Sequence, residues 1–113
     1  MKPEAQRIAI AEACGWTSAI NSKSRGGIYG LAPHESFLGM TTVPGYLNDL
    51  NAMHEAIESL SYQDQVEWVY KLGEVLGFRN RNEWTEISMI QATAAQRAEA
   101  FLRTIGKWEG GAE

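Results

Sequence analysis

The chain has 113 residues, 44% of them apolar and 21% charged, and a net charge of −4. That balance suits one globular domain around a single core and excludes wholesale disorder. Its ten basic residues are scattered among fourteen acidic ones, which excludes a general duplex nucleic-acid binder but leaves room for a local anion pocket.

Pro3 suits a first helical position, Glu4 favours the positive helix end and Gly15 is a stop, so 3–14 reads as a helix. Ile8, Ala11 and Cys14, with Ala5 and Ile10, form its inward stripe, and Trp16 is expected to fold back onto it. Residues 17–44 change character. A polar, glycine-rich run, Asn21 to Gly27, leads into IYGLA and SFLGMTTV, which read as one or two short strands in a long loop. The segment 21–30 is expected to be flexible.

In 43–60 the apolar positions Leu47, Leu50, Met53, Ala56, Ile57 and Leu60 recur at helical spacing, with Asn48 as the predicted N-cap. A third helix is predicted over 62–76, capped by Ser61 and stopped by Gly77. Residues 84–90, WTEISMI, are rich in β-branched and aromatic types and predict a strand covered on both faces. Thr93 with Gln96 spells a capping box for a last helix, in which Ala94, Ala98, Phe101, Leu102 and Ile105 point inward, and Gly106 ends it. The tail 109–113 is expected to fray. These elements predict a single α+β domain over 1–113, its small sheet of two to three short strands sandwiched by about four helices in α/β/α layers.

Catalytic chemistry finds little support in these residues. Two histidines and one thiol are too few, and too badly spaced, for a zinc site, and HEAIE lacks the second histidine of HExxH. Cys14 has no adjacent cation to activate it and reads as core. No serine sits in a nucleophile-elbow context. The expectation is no enzyme, no metal and no cofactor. The lone cysteine excludes an internal disulfide, the opening MKPEAQRIAIAEA lacks the apolar core of a secretory signal, and no apolar run approaches the ~18 residues of a membrane span. A reducing cytoplasm is therefore expected.

One segment does suggest a ligand. In Lys23-Ser24-Arg25-Gly26-Gly27 the glycines let backbone N–H groups converge while two cations add charge. Four tryptophans and four tyrosines add rings on which a ligand can stack.

VPGYLNDLNAMHEAIESL at 43–60, ATAAQRAEAFLRTIGKW at 92–108 and IAEACGW at 10–16 resemble small bacteriophage and prophage proteins of the phage ABA sandwich type, over about 40 of the 113 residues. The resemblance implies a sheet between helical layers and a phage product acting in the bacterial host cytoplasm. Small phage proteins of unassigned role are often host-takeover or counter-defence factors, and by analogy the same role is expected here.

The leading expectation is a non-enzymatic counter-defence protein that sequesters a small anion, such as a cyclic or ADP-ribose-like nucleotide. Its expected ligand-binding residues are Lys23, Arg25, Gly26, Tyr29, Tyr46, Trp84 and Arg97. The alternatives are a protein-interaction module that inhibits a host protein and, third, a nucleotide-cleaving enzyme. No membrane or duplex nucleic acid is expected as partner, and self-association into a symmetric homo-oligomer is.

Overall fold

The computed structural model describes residues 1–34, 39–78 and 89–110. In chain order the described elements are α1 (Pro3–Ala13), β1 (Thr17–Ser22), β2 (Gly27–Leu31), β3 (Thr41–Thr42), α2 (Leu50–Glu58), α3 (Tyr62–Val75) and α4 (Ala94–Thr104). Three antiparallel strands in the order β1-β2-β3 form one sheet. The fold is α+β.

Local chemistry explains most boundaries. Pro3 opens α1, and the helix ends through Gly15, whose φ of 98° places it in the left-handed region. There Gly15 N donates to Glu12 O at 3.1 Å and Trp16 N to Ala11 O at 3.0 Å, the paired bonds of a Schellman stop. The same stop ends α3, with Phe78 N on Gly73 O at 2.9 Å, and α4, with Lys107 N on Leu102 O at 2.8 Å. Ser61 caps α3 by accepting from Asp64 N. Thr93 and Gln96 make the reciprocal box of α4 with bonds of 3.1 and 2.9 Å.

Two corrections concern starts and strands. Asp49, not Asn48, caps α2, accepting from Asn51 N and Ala52 N. Asn48 belongs instead to the preceding turn, where its N–H and that of Asp49 both donate to Gly45 O at 2.9 Å. Of the strand expected over 84–90, Met89 and Ile90 are helical, while 84–88 lie outside the described residues.

The glycine-rich run expected as loop is the turn of a hairpin. Thr17–Ser22 forms a strand that its polar composition hides, and Ser22 pairs with Gly27 across the turn 23–26. Gly26 closes that turn at φ 75°, donating to Ser22 O at 2.9 Å, as four-residue hairpin loops require. Near its start β1 is irregular between Thr17 and Ile20, with Ser18 at φ 55°. Opposite that bulge a Cβ on Gly30 would meet Ala19 Cα and Trp16 Cε3 at 3.2 Å. Only a glycine lets β1 and the Trp16 ring approach β2 this closely.

The core gathers Ile10 and Ala11 from α1, Ile28 from β2, Val43 and Tyr46 from the following turn, Met53, Ala56 and Ile57 from α2, and Ala98, Phe101 and Leu102 from α4. Phe101 is wholly buried. A satellite cluster of Leu72, Ala92 and Ala100 joins α3 to α4, and Trp68 packs against both clusters. The main packing therefore runs from the sheet to α1, from α1 and α2 to α4, and from α4 to α3. No described helix is long and apolar enough to cross a membrane.

Candidate functional site

The β1–β2 hairpin brings together four of the seven expected ligand residues. Lys23, Arg25 and Gly26 lie in its turn, and Tyr29 follows on β2. Arg25 sits with its guanidinium carbon 5.3 Å from the centre of the Tyr29 ring, close enough for cation–π attraction. The Tyr29 hydroxyl reaches Arg25 O at 3.5 Å, and the Ser22 and Ser24 hydroxyls lie 3.3 Å apart. Ser22 Oγ also accepts from Arg25 N.

A groove of about 290 Å³ is lined by Ile20, Ser22, Ser24, Arg25, Tyr29 and Met40. Its lining joins apolar Ile20, exposed at 52%, and Met40 to hydroxyls and a cation. Among the described residues no carboxylate forms an ion pair with Lys23 or Arg25, so their charge faces solvent. Chemically the groove offers a ring platform, hydroxyl donors and positive charge, the components that hold a small phosphorylated or carboxylated molecule.

Tyr46 lies elsewhere. It is 4% exposed, and its ring lines a separate pocket of about 310 Å³ between the end of α1, the end of β2 and α2. Cys14, Trp16, Pro33, Pro44, Glu55 and Ser59 share that lining. The Cys14 thiol is 3.8 Å from Ser59 Oγ. Burial pushes this thiol above its usual range, the direction opposite to that of a reactive nucleophile. Burial, reinforced by Cys14 and Glu55, also raises the Tyr46 phenol, while the Trp16 indole works the other way.

Arg97 is spent on structure. Its Nε donates to Ala92 O at 3.0 Å and its Nη2 to Ile90 O at 2.9 Å and Met89 O at 3.2 Å. The fork ties the turn before α4 to the helix, and Trp68 Nε1 donates to Arg97 O at 3.2 Å. Trp84 lies outside the described residues. The expected set thus divides into a hairpin group, one buried tyrosine and one structural arginine.

Sequence reading missed the contribution of Ser22, Ile20 and Met40, because the strand that carries the first two has no apolar alternation to announce it. No group of three or more histidine, cysteine, aspartate or glutamate residues among those described is placed to hold a metal ion. No protein-family model matches the chain, and no curated protein or solved structure matches it.

Proposed function

We propose that this protein is a non-enzymatic binding protein that captures a small anionic molecule in the hairpin groove. The observation that carries the reading is Arg25 stacked on Tyr29 beside the paired hydroxyls of Ser22 and Ser24. Arg25 meets the anionic group, Lys23 in the same turn adds positive charge beside the groove, Tyr29 stacks on a ring, and Ile20 with Met40 covers an apolar edge. A nucleotide combines these features in one ligand. With the likeness of three of its segments to phage proteins, this suggests a counter-defence role in a bacterial host cytoplasm, where a nucleotide immune signal is held and not cleaved.

Calorimetric titration with cyclic and ADP-ribose-like nucleotides tests this directly. Binding tighter than about 10 μM, roughly −7 kcal/mol, with the ligand recovered intact, is the expected result. Arg25→Ala should weaken it at least tenfold. Absence of binding to the whole panel overturns the reading, and a cleaved ligand replaces it with an enzyme.

A second reading, a module that inhibits a host protein, draws on the outer face of α3. There Tyr62 is 81% exposed, with Val66 and Val69 also exposed one and two turns further on. Exposed apolar residues in one stripe suit protein contact. A stoichiometric protein partner retained from a bacterial lysate after nucleotide removal, and lost in Tyr62→Glu, would favour it.

A further inference from the structure

The second pocket has a chemistry unlike that of the hairpin groove. Four stretches build it: the Schellman stop that folds Trp16 back after α1, the Ala32–Pro33 exit from β2, the Pro44–Tyr46 turn, and Ala52, Glu55, Ala56 and Ser59 of α2 and its cap. Its walls are two aromatic rings, two prolines and alanine methyls. Glu55 is the one lining residue that carries a full charge. It is exposed at the rim on α2, and no cation among the described residues forms an ion pair with it. Arg7, which approaches the Pro44 turn, is bound to the carbonyls of Val43 and Pro44.

Two of the polar side chains in the lining are already partnered. The Cys14 thiol lies 3.8 Å from Ser59 Oγ, and Ser59 Oγ donates to Ala56 O. A ligand therefore meets aromatic faces, methyl groups and one carboxylate, with few free hydrogen bonds to win. An anion would lie beside Glu55 with no lining cation to compensate it, and desolvation makes that unfavourable. A neutral polar molecule could donate a hydrogen bond to Glu55 but would gain no attraction of charge to it. A cation with an apolar stem satisfies every wall, since aromatic rings and a carboxylate attract its charge together.

From this chemistry we propose that the pocket is a binding site for a small organic monocation of the alkylammonium class, its charge beside Glu55 and its methyl or methylene groups against Trp16 and Tyr46. The volume of about 310 Å³ accommodates a compact ammonium head with a short stem. The site shares no lining residue with the hairpin groove.

The test is a titration of the whole protein with choline chloride, followed through the indole N–H resonance of Trp16 in two-dimensional NMR. Sodium chloride at the same ionic strength serves as the blank, and 3,3-dimethylbutanol is the uncharged analogue of the same shape. A saturable shift of the Trp16 signal is expected with choline, about tenfold weaker for the uncharged analogue and about tenfold weaker in Glu55→Gln. Because Glu55 is exposed, that variant folds, and an unchanged amide spectrum away from the pocket verifies it. Equal affinity for the uncharged analogue, an undiminished affinity in Glu55→Gln, or no saturable Trp16 shift overturns the proposal.

Discussion

In the fold Arg97 collects three backbone carbonyls, and Tyr46, 4% exposed, packs in the core while it lines the second pocket. The Tyr46–Cys14 pair carries a pH signature. Both groups are raised by burial above their ordinary values of 10.0 and 9.0. Above those values the unfolded chain releases protons that the native state keeps, so stability falls as pH rises. The window opens near pH 9 with Cys14 and steepens above pH 10 with Tyr46. Urea unfolding across this range should show the decline, with a slope above pH 10 that is shallower in Tyr46→Phe by up to about 1.4 kcal/mol per pH unit. An identical slope in the variant would assign the alkaline loss to other groups.

Helix starts and stops are where local sequence speaks most directly. The capping box at Thr93 and Gln96 is legible because both partners lie within one turn and need nothing from the rest of the molecule. The glycine stops at 15, 77 and 106 are equally local, each with φ between 75° and 98°. Asn48 and Asp49 were harder to separate, since either side chain can accept from a helix N-terminus. The Gly45 turn, which holds the N–H groups of both, sets Asp49 at the helix start, where its Oδ1 accepts from Asn51 N and Ala52 N. Asp49→Ala should therefore cost about 1 kcal/mol, whereas Asn48→Ala should stay within about 0.5 kcal/mol. Thermal or urea denaturation of the two variants checks the order, and a larger loss in Asn48→Ala would reverse the assignment. The hairpin was illegible for the opposite reason: TSAINS lacks an apolar face, and its strand state comes from pairing with β2 and from the Gly26 turn.

At the scale of the molecule, Phe101 is the residue on which the parts converge. It is wholly buried in the cluster that joins the sheet, α1, α2 and α4. Phe101→Ala should cost about 3–5 kcal/mol, a large share of the ~5–15 kcal/mol that holds a domain of this kind together. A fall of that size in unfolding free energy, measured by urea titration, is the expected outcome; a loss below about 1 kcal/mol would mean that another layer holds the fold.

Sequence by itself determined the α+β class, the four described helices and the inward face of the last one, because helical periodicity, caps and glycine stops act over a few residues. Tertiary structure alone decided that a polar run becomes a third strand, that Arg25 meets Tyr29 beside Met40, and that Cys14, Trp16, Tyr46 and Glu55 share a pocket. Those relations join segments many residues apart, and no local pattern encodes a distance that only the closing of the core creates.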